Sequence, residues 1–563
     1  MKKIKPSIGD IRLAFDKLQS YIYFDNNDLY WRHQLSEFKE KYEESIETVF
    51  NILNDNELAN KYLDKISLRI YPKKLEPKEI SQNHKTDNFY TNEFLTEGAN
   101  LTRLAIFIDI PIELQIVNTL WIMEYADTLE GDISPCAFGN RLISEKALKN
   151  EGRSLFKPYH KQYQNWWGNA INTAKSHLEK NQNVTIINFD FKDCFHRIRF
   201  KMNDLSNNFR LNDKDSDSPL HQIFVDIHER YKIELLKIEH EAMQGISDEE
   251  FPLPIGLLSS YILANYFFKE FDTQILEKIN PSYYGRYVDD LLLIVKDTLI
   301  TKEKLKNDNK ESLLEFYSKE YLSSTFSIEG DVLKLNLSKY SNILLQKEKV
   351  FIYQFNAKHS PNLLNKFVED QKERNYEFRF LSDDSDESFQ DFESITFEQN
   401  FETTDLNKAR FKEVEDNKFK LSVFLAKLIQ RRILNGPEYG EGEIDKVEKY
   451  FKGIYLLKHY YFWEKLLTLY MVSERSDAFI RLVKNVWGEI EKLEGPGKGK
   501  SYLGISSSNN NKMMLNEVKK SFRAHMKHSL QMALGLNPDF LENILSKTKR
   551  DESVEVLHEV LVG

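Results

Sequence analysis

Between Tyr283 and Val295 the chain reads YYGRYVDDLLLIV, an apolar and aromatic run interrupted by two adjacent carboxylates, Asp289 and Asp290. The pattern predicts a strand, a tight acidic turn and a second strand. Aspartate is common in turns, so a plain surface hairpin is the simplest reading. Yet tight hairpins usually add Gly or Asn, and these flanks are too apolar for a hairpin facing water. Two ionised carboxylates beside a core are costly unless something positive compensates them.

A divalent metal is the simplest compensation. Mg²⁺ prefers carboxylate oxygens and shares them with substrate phosphates. A site of this kind needs a carboxylate from elsewhere in the chain. The segment VTIINFDFKDCFHRI (184–198) is rich in β-branched and aromatic residues and predicts a strand leading into a turn or helix, with Asp190 near its end. Placed beside the hairpin, that strand would bring Asp190 within reach of two metals about 3.5–4 Å apart, which would then activate a 3′-hydroxyl and stabilise a leaving pyrophosphate. Asp193 competes for the role, but three residues further on it is expected to point elsewhere.

These segments resemble the palm of a reverse transcriptase. YVDD (287–290) matches the family's Tyr-x-Asp-Asp signature. DFKDCF (190–195) is similar to its first palm motif, and PIGLLSSYILAN (254–265) to its Pro-Gln-Gly segment and following helix. LKLNLSK (333–339) resembles a later motif ending in lysine, and SPCAFGNRL (134–142) a fingers segment carrying an arginine. A tetrapeptide alone recurs by chance; five segments in the family's order over roughly residues 100–355 are far more specific.

The resemblance implies an enzyme that joins deoxynucleotides by two-metal nucleotidyl transfer, with Mg²⁺, or Mn²⁺ in its place. It implies Asp190 and Asp289 as principal metal ligands and Asp290 as a weaker participant. It places Phe195 under the incoming sugar, excluding a 2′-hydroxyl; the alternative is ordinary core packing. Gly256 would let the backbone approach the nucleotide, or simply serve a turn. Arg141 would clamp the triphosphate, or sit as a surface arginine; Lys339 would neutralise or protonate pyrophosphate, or be solvated. One departure stands out: Ile255 occupies the place of the family's glutamine before the glycine, and isoleucine can only pack.

The rest of the chain sets the architecture. Of the 563 residues, 41% are hydrophobic and 13% aromatic, enough for sizeable cores, so global disorder is excluded. The two cysteines, Cys136 and Cys194, form no disulfide framework or cysteine-based zinc site and suit a reducing, cytoplasmic setting. No secretory leader and no membrane span are expected. The net charge of −10 seems wrong for a nucleic-acid binder, but nine acidic residues without a Lys or Arg lie in 381–405, which leaves the remainder near −1.

The expected fold is α+β: right-hand polymerase fingers and palm (101–360) between an N-terminal helical extension (1–100) and an all-α C-terminal domain (418–563), with an acidic linker or insertion at 361–417. Residues 34–54, 257–276 and 447–472 each read as helical. This layout resembles the bacterial abortive-infection and defence-associated reverse transcriptases. The resemblance implies dNTPs and an RNA or DNA template-primer or product as partners, and allows a homo-oligomer and protein priming through a tyrosine. Tyr460, Tyr461 and Tyr470 are candidates, although HYYFW (459–463) reads first as core.

Two other functions compete. Arg523 and His528 in RAHMKH resemble the Arg-x4-His pair of HEPN ribonucleases, which makes a helical-domain ribonuclease toxin an alternative; a basic solvated helix face is the simpler reading. The other is a non-catalytic, nucleic-acid-binding scaffold with a polymerase fold.

Overall fold

The computed structural model describes residues 6–24, 29–78, 96–144, 148, 152–202, 205, 218–297, 313–330, 332–359, 364–365, 418–438, 441–497 and 499–548. The acidic stretch at 381–405, and nearly all of the expected linker, lie outside them. The chain divides into two compact units: Met1–Leu68 with Phe107–Phe378, and Arg69–Ile106 with Arg379–Gly563.

The first unit begins with helices α1 (Ile8–Phe24), α2 (Leu29–Glu40), α3 (Tyr42–Ile52) and α4 (Asn56–Leu63). The helix expected across 34–54 is therefore two, broken at Lys41. Asp55 caps α4 by accepting from the Glu57 and Leu58 amides, which satisfies donors the first turn cannot use. Strands β1 (Ser67–Pro77) and β2 (Ala99–Asp109) pair with each other. They carry the chain out of the first unit and back into it. β1 is strand where the sequence pattern of residues 1–100 suggested mostly helix.

Pro111 stops β2 and starts α5 (Ile112–Asp132), whose residues from Leu114 to Met123 are all buried. A helix apolar all round belongs in a core, and α1 packs on it from one side. Helix α6 (Tyr159–Glu179) leads to β3 (Val184–Lys192), followed by the one-turn α7 (Cys194–Arg197) and β4 (Phe200–Lys201). Then come α8 (Pro219–Lys237), β5 (Glu250–Phe251), α9 (Leu258–Phe267) and α10 (Lys269–Ile279). The helix read across 257–276 is α9 and α10, separated at Phe268 (φ −82°, ψ 3°). The expected hairpin is β6 (Tyr283–Tyr287) and β7 (Asp290–Lys296), and α11 (Leu313–Glu320), β8 (Phe326–Glu329), β9 (Val332–Leu335), β10 (Leu344–Gln346) and β11 (Phe351–Phe355) complete the unit.

Seven strands form one sheet in the order β6-β7-β3-β10-β9-β8, with β11 also on β3. All pairings around β3 are antiparallel. One side of β3 is taken by β7; the other is divided between β11, opposite Val184–Asn188, and β10, opposite Phe191 and Lys192. Ile187, Phe189 and Leu291–Ile294 are buried, as expected of a central pair covered on both faces.

The second unit holds α12 (Lys418–Asn435), α13 (Glu441–Tyr450), α14 (Ile454–Lys458), α15 (Trp463–Val472), α16 (Ser476–Glu491), α17 (Asn511–Leu534) and α18 (Pro538–Thr548). The single helix suggested by 447–472 is thus interrupted between α13 and α15. Helix α15 is nearly all buried and packs against α12, α16 and α17. This unit also holds most of β1 and β2: the Leu101 amide donates to the Glu494 carbonyl (2.8 Å), and Tyr71 stacks on Tyr460 at 5.4 Å. Strands from residues 67–109 therefore accompany these helices, while among the described residues from 418 onward every assigned element is helical. Among the described residues no helix is long and apolar enough to cross a membrane.

Candidate active site

The register of β3 and β7 sets the site. Asp190 is the Cα partner of Asp290, and the Phe191 amide donates to the Asp289 carbonyl (3.2 Å). Directly paired residues have Cα atoms about 4.5–5.5 Å apart. The apolar faces of both strands fix that register, because a one-residue slip would turn every buried side chain to the wrong face. Three aspartates separated by about a hundred residues therefore meet at one end of the sheet.

Two polar side chains meet Asp190. Lys349 Nζ lies 3.1 Å from Asp190 Oδ2, and Gln346 Nε2 donates to Asp190 Oδ1 (2.5 Å). Burial, then the charges of Asp289 and Asp190, push the Asp290 carboxyl up to about 7, against a smaller opposing effect of Lys349. Burial, with Asp289 next, also raises the Cys194 thiol well above its ordinary value. At Asp290 the neighbouring carboxylates thus outweigh the opposing lysine, a local deficit of positive charge.

That deficit and the all-oxygen donor set fit a hard divalent cation. Asp190, Asp289 and Asp290 would hold it, although among the described residues no three acidic, His or Cys side chains stand ready as ligands. The Asp190 carboxylate is instead turned to Gln346 and Lys349. Bound there, such a cation would acidify a hydroxyl nucleophile and offset charge on a phosphoryl group.

The segment after β3 carries the second part of the site. Asp193 is left-handed (φ 48°) ahead of α7, and its charge acts on His240 and Glu241. The partly buried Phe195 ring meets Tyr261 edge-on at 5.9 Å, and the Phe195 carbonyl accepts from the Leu253 amide (3.0 Å). The turn bearing Phe195 therefore lies beside Pro254-Ile255-Gly256.

Gly256 has φ +99°, a conformation L side chains rarely adopt, so glycine is required here by backbone rather than by space. Its carbonyl accepts from Gln115 Nε2 (3.0 Å), and the Ile255 carbonyl from the Ile108 amide (2.9 Å). The buried Tyr231 hydroxyl bonds the Ile255 backbone and lies 2.8 Å from His196 Nε2. Groups from three other elements thus hold the backbone of Ile255 and Gly256.

Two of the residues singled out from the sequence have other partners. Arg141 Nε pairs with Glu130 (2.7 Å), and its Nη1 donates to the Ala137 and Ser134 carbonyls (2.8 and 3.2 Å). Lys339 pairs with Glu270 (2.9 Å). The lysine brought to Asp190 is Lys349, which the motif comparison missed. The register places it: β10 last pairs with β3 at Phe191 and β11 begins opposite Asn188, so residues 346–350 must pass Asp190.

In the second unit, Arg523 ion-pairs with Glu491 and lies over Trp487 (5.6 Å), while His528 is buried with Nδ1 3.3 Å from Gln531. Five residues on a helix separate two side chains by roughly 140°, so this pair shares no face. Tyr470 is buried, and Tyr461 bonds His459 (2.9 Å).

An antiparallel sheet that gathers aspartates from its central strand and an adjoining hairpin, beside a glycine-turned segment, defines a polymerase palm. A sequence model of the family described as reverse transcriptase (RNA-dependent DNA polymerase) matches residues 140–316, which include Asp190, Phe195, Gly256 and the hairpin. The chain is a nucleotidyltransferase carrying a reverse transcriptase domain over those residues. No curated protein matches it.

Proposed function

We propose that the chain makes DNA from dNTPs, either on an RNA template or without one, as part of bacterial defence against phage. The observation that carries the polymerase reading is the direct pairing of Asp190 with Asp290 inside the matched domain. The defence role draws support from the layout, a reverse transcriptase domain joined to helices at both ends. In this reading Asp190 and Asp289 hold Mg²⁺ or Mn²⁺ with Asp290 assisting, Gly256 borders the nucleotide, and Arg141 and Lys339 reach it only by leaving Glu130 and Glu270. The ribonuclease alternative draws no support from Arg523 and His528, which diverge around α17.

The test supplies purified protein with labelled dNTPs and Mg²⁺ or Mn²⁺, with RNA, with DNA and with no template, then digests the product with protease. Labelled DNA is expected, and a protease-sensitive shift would indicate priming from a tyrosine. No incorporation under any of these conditions would overturn the reading. Phage plating on cells carrying wild type or Asp190→Asn tests the biological role; equal protection by both would favour the scaffold.

Phe195 gives a sharper expectation. Phe195→Ala is expected to raise the kcat/KM ratio of ribonucleotide to deoxynucleotide about 10- to 100-fold, the scale on which a steric pocket discriminates. Single-nucleotide incorporation measures it, and an unchanged ratio would return Phe195 to core packing.

A further inference from the structure

Val288, the residue leading into the aspartate pair, has φ 57°. A β-branched side chain is strongly disfavoured in that left-handed region, and such strain persists only where the surroundings over-determine it. Here they do. Arg286 is wholly buried. Its Nη1 donates to the Val288 carbonyl (3.1 Å) and to Asn265 Oδ1 (2.9 Å). Its Nε and Nη2 grip the two oxygens of buried Asp272 (3.0 and 2.9 Å), and the Tyr284 hydroxyl donates to the same carboxylate (2.5 Å).

A second contact closes on the turn from the other side. Asn265 Nδ2 donates to the Gly139 carbonyl (2.7 Å). Gly139 lies so near the turn that a Cβ there would stand 2.7 Å from Val288 Cγ2. The Arg286 amide donates to the Cys136 carbonyl and the Phe138 amide to the Arg286 carbonyl, both at 2.8 Å, so residues 136–139 run along β6.

Stability alone gives little reason for this assembly, because a buried ion pair can often be replaced by apolar residues without loss. Conformational specificity gives a better one. We propose that Arg286, Asp272 and Asn265 are positioning residues of the catalytic turn. They hold Val288 left-handed, with Gly139 packed behind it, and so fix the direction in which Asp289 and Asp290 leave the hairpin toward Asp190. This rests on reading those aspartates as the polymerase carboxylates.

The test is a double-mutant cycle on single-nucleotide incorporation. Arg286→Met with Asp272→Leu removes both charges together and orphans neither. In the wild-type background this pair is expected to lower kcat at least 30-fold, with the dNTP KM changed less than threefold. Glycine adopts the left-handed conformation unaided, so in a Val288→Gly background the same pair is expected to cost less than threefold in kcat. The fall in melting temperature should be the same in both backgrounds, which separates positioning from support of the fold. Equal kcat losses in the two backgrounds would overturn the proposal. If the pair fails to fold, Asn265→Ala, which leaves the ion pair whole, is taken through the same cycle and judged by the same comparison. Wild-type incorporation is measured first; its absence would remove the polymerase reading itself, whereas activity with equal losses removes only the positioning role.

Discussion

Asp289→Asn combined with Asp290→Asn is expected to reduce nucleotide incorporation at least ~10⁴-fold, equivalent to about 5.5 kcal/mol of transition-state stabilisation. Asparagine keeps the size of aspartate and tolerates turns. The apolar strands that set the register, Leu291–Ile294 against Phe189–Ile186, are untouched. The variant should therefore fold, and the loss should reflect charge alone. Initial rates with labelled dNTPs measure it, alongside a melting curve. A folded double variant retaining more than about a hundredth of wild-type activity would be incompatible with electrostatic catalysis of this magnitude at these positions.

The second large effect is a pH dependence of stability. In the folded protein the Asp290 carboxyl is pushed up to about 7, against an ordinary 3.8. The folded state therefore retains a proton that the unfolded chain has released. The resulting stabilisation is whole below about pH 4, is lost as pH rises to about 7, and changes little above it. A full shift of this size corresponds to about 4 kcal/mol; partial exposure of the carboxylates to water reduces the expectation to roughly 2 kcal/mol. Without divalent ions, the wild type should melt progressively lower from pH 5 to pH 8, relative to Asp290→Asn. At pH 8 the asparagine variant should be the more stable of the two. Parallel melting curves across that range would show that Asp290 does not hold the proton.

Much of this site could be read from the residues in order. The β-branched run before Asp190 and the apolar flanks of Asp289 and Asp290 have strand patterns, and antiparallel pairing in register then brings the carboxylates together. What could not be read depends on the third dimension. Arg286 sits in a strand pattern where a charge suggests a solvent-facing position; only Asp272 and Asn265, on two neighbouring helices, make its burial tolerable. The break between α9 and α10 has no Pro or Gly to announce it. Residues 69–106 group with residues beyond 378, a long-range choice that no local pattern encodes. Lys339 and Lys349 are equally plausible by composition, and strand pairing separates them.

The division of one flank of β3 between two strands has a consequence for how the chain can vary. Residues 347–350 act as a spacer of set length, because β10 and β11 are each anchored in register on the same neighbour. Losing a single residue from that spacer would rotate either Gln346 or Phe355 to the opposite face of the sheet. Apart from Lys349, which pairs with Asp190, substitution there is cheap while a change in length is not, so the rest of this short link should vary in letters and the whole hold constant in number.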